Sequence, residues 1–192
     1  MRVHHKFSSI PAGIPRATIG ILTFSLAVLL AVGCSLVSGT LRIEHDFEGG
    51  PQQSTGTNVK MLGVDLNSDS DFKDNKDKIK SVDEVGFVFR AQNNLGNVAN
   101  GVIYISTVPI TPLTYERITT SGLATPVVQG LILQPGYTDI SYDDSLALEV
   151  NQAVLHEIVK GGTFYLYGIA NQSNFDITID KLTAVVVVTF EL

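Results

Sequence analysis

Apolar and polar residues alternate with period two along several stretches of this chain, and that period predicts half-buried β-strands. Residues 41–48 (LRIEHDFE) place Leu41, Ile43 and Phe47 on one face, with His45 the single break. Residues 84–92 set Val85, Phe87, Phe89 and Ala91 against Gly86, Val88, Arg90 and Gln92. Further strands are expected over 59–66, 101–107, 126–134, 163–170 and 181–192 from their β-branched and aromatic content. Four consecutive valines in the last imply that both of its faces are covered, as in a central strand. Residues 49–58 (GGPQQSTGTN) read as a loop, and Asn93-Asn94-Leu95-Gly96-Asn97 as a hairpin turn between the Phe87 and Tyr104 strands. Helical spacing shows twice. Residues 74–81 predict a short helix, and 145–160 a longer one, capped by Asp143, Asp144 or Ser145 and stopped by Gly161-Gly162. The set predicts a mainly β domain, an antiparallel β-sandwich of immunoglobulin-like or Greek-key type with one or two short helices. The chain has no Trp and no cysteine pair, so a loosely related sandwich is the safer expectation than a true immunoglobulin domain.

The first 33 residues follow a different logic. Arg2, Lys6 and Arg16 precede the apolar run 17–33, the layout of a secretory signal peptide. The run ends at Ala31-Val32-Gly33-Cys34, which resembles the lipobox of bacterial lipoproteins, with Ala31 where that family usually has Leu. The resemblance implies diacylglycerol on the Cys34 sulfur and cleavage after Gly33. Ser35 in second place then implies export to the outer membrane, by analogy with enteric bacteria. An uncleaved single-pass anchor is the competing reading, and 17 residues are short of the ~20 that a span needs. The expected organisation is a signal peptide over 1–33, lipidated cysteine and spacer over 34–40, and a sandwich over 41–192.

Charge and cysteine content agree with that organisation. Cys34 is the only cysteine, so an exported domain has no disulfide and depends on its core. All 19 acids but only ten of the 13 Lys and Arg follow residue 33, leaving a charge of −9. Such acidity argues against nucleic acid as a partner, and against electrostatic adhesion to anionic lipid. The expected partners are the membrane, through the lipid on Cys34, and another envelope protein.

The chemistry-bearing segment is 65–77 (DLNSDSDFKDNKD). Asp65, Asn67, Asp69 and Asp71 alternate, as hard oxygen ligands for calcium would. The opening fits D-x-N-x-D of an EF-hand, but Ser70 stands at the glycine position and Lys76 at that of the bidentate Glu. The competing reading is a solvated turn whose acids are neutralised by Lys73, Lys76, Lys78 and Lys80, with Asp71 capping the following helix. The domain is otherwise similar only to uncharacterised envelope lipoproteins with such a loop before a Lys-rich turn. Catalytic motifs are missing: no G-x-S-x-G, P-loop or dinucleotide fingerprint occurs, and His45 and His156 stand far apart. Tyr165 and Tyr167 share one strand face and are expected in the core rather than in a recognition patch. The expected function is a lipid-anchored, non-enzymatic structural, adhesive or partner-binding module. A calcium-dependent module using the 65–77 loop and a small envelope hydrolase are the alternatives.

Overall fold

The computed structural model describes residues 38–47, 50–54, 58–172 and 174–191, so the 1–33 segment and Cys34 lie outside the described residues. Among the described residues nine strands form two antiparallel sheets. The first contains β1 (Ser38–Phe47), β9 (Phe175–Glu191), β4 (Ile79–Asn93) and β7 (Gly136–Ile140) in that order, with β2 (Gly50–Ser54) also on β9. The second runs β3 (Val59–Asp65), β8 (Thr163–Ala170), β5 (Ala99–Ser106), β6 (Thr125–Leu133). β1 and β2 pair with successive halves of β9, so together they form one interrupted edge. The pairs β1–β9, β3–β8, β4–β7 and β5–β6 are those of a ribbon folded back on itself and wrapped across two sheets. That wrapping is a jelly roll, a double Greek key, and it replaces the immunoglobulin-like alternative.

β9 is central because its valines are covered on both faces. Val186 and Val188 point into the sandwich, while Val185 on the outer face is fully buried too. β4 owes its 15 residues to irregular registers near Ile79, Val82 and Arg90. The shifts between Ile79 and Ser81 and between Val82 and Glu84 each turn the strand over, so that Ile79, then Val82, then Phe89 and Ala91 all reach the core. Two clusters fill the space between the sheets. Ile43, Val64, Phe72, Ile105, Phe164 and Val186 pack at one end, and Phe89, Ala91, Ala99 and Leu133 at the other. A third cluster lies on the outer face of the second sheet, where Ile110 and Ile118 of the 107–124 connection cover Tyr167 and Ile169.

Several expectations are corrected. Residues 93–97 are not a hairpin turn, because β4 and β5 belong to different sheets and the segment crosses between them. Asn93 fixes this crossing by donating to the carbonyls of Asn97 and Leu133. Part of the 49–58 loop is β2, and the 34–40 spacer is shorter than expected, since Ser38–Thr40 already pair with Glu191–Thr189. The first helix, α1 (Ser70–Asn75), comes four residues early, because buried Phe72 belongs to it while buried Ile79 belongs to β4. An unforeseen α2 (Tyr115–Thr120) lies in the 107–124 connection. The 145–160 helix is two: α3 (Tyr142–Ala147) and α4 (Gln152–Lys160). Between them Glu149 bridges to Val128, the amide of Val150 donates to Val127, and Asn151 turns the chain at φ 54°. A continuous helix would leave the β6 edge bare; the break covers it.

The ends of the sandwich differ. Ser38 pairs with Glu191, which holds Lys80, and the Lys160 ammonium at the end of α4 donates to the Lys80 carbonyl. This end therefore gathers the start of β1 with the helix-bearing connections 66–78 and 141–162.

Candidate functional site

The acidic loop leaves β3 at Asp65 and is tied to the start of β8. Asp65 Oδ1 accepts from the Asn67 backbone N–H (3.1 Å), from Asn67 Nδ2 (2.8 Å) and from the Thr163 hydroxyl (3.1 Å). Those bonds, Asn67 foremost, hold its carboxyl below the usual carboxylate range. Asn67 Oδ1 faces a cation already present in the chain: the Lys76 ammonium donates to it at 2.9 Å and to the Gly161 carbonyl at 2.8 Å. Gly162 makes this packing possible. It sits at φ 85°, where a Cβ would come within 3.0 Å of Asn67 and Phe72.

The four sequence candidates are thus divided. Asp65 and Asn67 bond each other directly and share Thr163, while Lys76 bonds Asn67 alone of the two. Asp69 turns to another task, accepting from the backbone N–H of Asp71 and Phe72 as the N-cap of α1. Asp71 lies in the first turn, where its charge complements the helix N-terminus, so the cap is Asp69 rather than Asp71. Among the described residues no three His, Cys, Asp or Glu side chains gather in a group able to hold a metal ion. The arrangement holds a lysine ammonium beside Asn67. A shallow recess of about 170 Å³ lies next to it, lined by Gly63, Val64, Asp65, Thr163, Phe164 and Tyr165.

A second polar cluster, which sequence reasoning missed, lies on the outer face of the first sheet. Ser141 caps α3 in a reciprocal capping box with Asp144. The helix lays Tyr142 and Ser145 on Gly86, the β4 residue whose missing side chain admits them; a Cβ there would stand 2.5 Å from the Tyr142 ring. Ser145 Oγ accepts from the Phe87 N–H at 2.9 Å and donates to the Tyr142 carbonyl at 2.7 Å. Tyr142 donates to Glu84 at 2.6 Å, and the Arg42 guanidinium lies 4.8 Å from the centre of its ring. Burial, then the bond to Glu84, raises the Tyr142 pKa. Just beyond α3, half-buried Glu149 is pushed up to about 7, by burial first and then by the charge of Glu84, against a lowering bond from Gln152. Glu149 Oε1 is buried with no hydrogen-bond partner. The cap of α3 is Ser141 rather than the expected Asp143, Asp144 or Ser145, which lie inside α3 because the helix starts three residues early; nothing in the spacing linked Glu84 to Tyr142.

The remaining candidates lie apart. Cys34 is outside the described residues. His45 points inward on β1 and meets Phe47 edge-on with ring centres 4.9 Å apart. His156 is on α4, its Nε2 buried without a partner. Tyr167 is fully buried, and its hydroxyl accepts from the Ile110 N–H at 2.8 Å, while Tyr165 is partly buried against the same cluster.

No family model matches the chain, and no curated protein matches it. Among solved structures it is similar to a chain of the mud crab tombus-like virus, at 12% identity and TM-score 0.36, covering 100% of this chain and 92% of that one. Chains of Desmodium yellow mottle tymovirus (10% identity, TM-score 0.33, 100% and 97% covered) and turnip yellow mosaic virus (10%, 0.32, 99% and 90%) are also similar. Likeness at that level bears on no function of this chain.

Proposed function

We propose that this chain is a lipid-anchored envelope lipoprotein whose jelly roll acts as a non-enzymatic partner-binding or structural module. The observation that carries the reading is the distance from the lipobox to the fold. β1 begins at Ser38, four residues after Cys34, and the described residues bury a full core of their own. The apolar run before Cys34 is read as the targeting segment on its sequence layout, and the lipid would sit four residues before the first strand. A binding role is favoured because several of the polar groups with defined geometry are engaged in holding the fold. Asp65 serves Asn67 and Thr163, Ser145 serves Phe87, and Tyr167 serves Ile110.

Metabolic labelling with a fatty acid, followed by detergent-phase partitioning, tests this reading. The wild-type chain takes up label and enters the detergent phase, whereas Cys34→Ala does neither. Unchanged partitioning of Cys34→Ala refutes the anchor.

A further inference from the structure

The cover of the β6 edge is built around one ionisable group. Residues 148–151, between α3 and α4, are tied to β6 by three hydrogen bonds. The Gln129 N–H donates to the Leu148 carbonyl (3.0 Å), the Val150 N–H to the Val127 carbonyl (2.9 Å) and Asn151 Nδ2 to the Pro126 carbonyl (2.9 Å). β6 shifts register against β5 between Leu131 and Val128, with Gly130 at φ 77°, where the cover attaches. Glu149 stands in the middle of the cover, opposite Val128. Its Oε1 is buried and accepts no hydrogen bond. From β4 it faces Glu84, a like charge already held by Tyr142 of α3, and from α4 it faces the Gln152 amide. β6 contributes no ionisable residue, and the Arg42 guanidinium of β1 lies over the Tyr142 ring. Among the described residues no cation is paired with Glu149. These surroundings suit a neutral Glu149; an ionised one has a buried oxygen without a donor, beside a second carboxylate.

We propose that residues 148–151 are a pH-operated latch on the edge of the second sheet, closed while Glu149 is protonated and opened by its ionisation. The latch is independent of the lipoprotein reading above. The fold lets the segment move by itself. Asn151 turns the chain at φ 54°, a single left-handed residue between two helices that are seated separately. α3 is held by Ser145 on the Phe87 N–H, and α4 by its buried Leu155 and Val159. Lifting 148–151 therefore breaks three hydrogen bonds, frees the Glu149 carboxylate to water and leaves both helices in place. The direction follows from the carboxyl itself, which burial and Glu84 push from 4.5 up to about 7 in the closed state. The closed state holds the proton more tightly than the open one, so closure is fully favoured below about 4.5 and is lost as pH rises through about 7. Opening bares the backbone groups of the β6 edge, the part of a sheet most able to pair with another chain.

Amide hydrogen exchange followed by NMR tests the latch, on the full-length protein in zwitterionic detergent micelles at pH 5 and pH 8. Dividing each rate by its intrinsic value removes the ordinary pH dependence of exchange. Protection of the Gln129 and Val150 amides should fall by about tenfold between the two pH values. Linkage between 4.5 and about 7 allows at most about 70-fold, and solvent screening of the half-buried carboxyl reduces it. In Glu149→Gln the fall should vanish. The opening should also be local: at pH 8 the two amides are less protected than those of the central β5, and low urea, which promotes global unfolding, leaves their exchange unchanged. Equal protection at both pH values in the wild type overturns the proposal, as does a fall that persists in Glu149→Gln. Exchange of both amides in step with β5, accelerated alike by urea, overturns it too, because the edge would then open only when the whole domain unfolds.

Discussion

Glu149→Gln should make the domain more stable at pH 8 and leave it unchanged at pH 5. The wild-type carboxyl is pushed from 4.5 to about 7 by burial and by the charge of Glu84, and one of its oxygens is buried with no donor. Because the folded pKa lies above the unfolded one, the folded state holds the proton more tightly. The associated stability is fully present below about 4.5 and is lost as pH rises through about 7. For a fully buried acid that difference would be worth about 3 kcal/mol. Glu149 is only half-buried, and solvent screening reduces the expectation to about 1–2 kcal/mol. Glutamine reproduces the shape and hydrogen bonding of the protonated acid without its ionisation, so it escapes the loss above pH 7. The assay is urea unfolding of the domain from Ser35 onward, wild type and variant, at pH 5 and pH 8. The midpoints should coincide at pH 5 and separate at pH 8 with unchanged slopes. Equal midpoints at both values would refute the reasoning, showing that the carboxyl is solvated and that the α3–α4 break does not bury it.

Other substitutions probe the core, the α3 seat and the acidic loop. Phe72→Ala, at a fully buried ring, should cost about 3–5 kcal/mol in a thermal or urea melt. Phe89→Ala should cost more than Phe87→Ala, because Phe89 is the buried member of that pair. Gly86→Ala forces a Cβ into the Tyr142 ring and should cost about 1–3 kcal/mol, with the near-ultraviolet tyrosine signal changed. Millimolar calcium should leave the melt where chelator leaves it, since Lys76 already supplies the cation at Asn67. A ligand at 100 times its Kd would add about 2.7 kcal/mol, and a rise of that size lost in Asp69→Ala would restore the calcium-dependent alternative.

How much of this was legible in the sequence depended on whether a feature was local. The strand faces were, because period two survives in any antiparallel sheet: Ile43, Phe89, Ala91 and Val186 are buried where alternation and the valine run place them. Tyr167 is in a core as expected, though in the extra one outside the second sheet. Pairing partners were not legible. Nothing around Asn93–Asn97 distinguishes a hairpin from a crossing between sheets, since both need a tight polar turn. The helix boundaries failed where tertiary contacts overrode spacing. Phe72 and Ile79 divided the lysine-rich segment between helix and strand, and the β6 edge broke the 145–160 helix at Glu149. In the acidic loop the residue types were visible, and so was the competing role of the lysines. That one of them, Lys76, would reach 85 residues along the chain to Gly161 was not.

The intact mass of the protein extracted from membranes tests the central claim most directly. The account predicts a chain that begins at Cys34, lacks the first 33 residues and carries the added mass of a diacylglyceryl group on that cysteine. A chain retaining Met1 and a free thiol at Cys34 would contradict it.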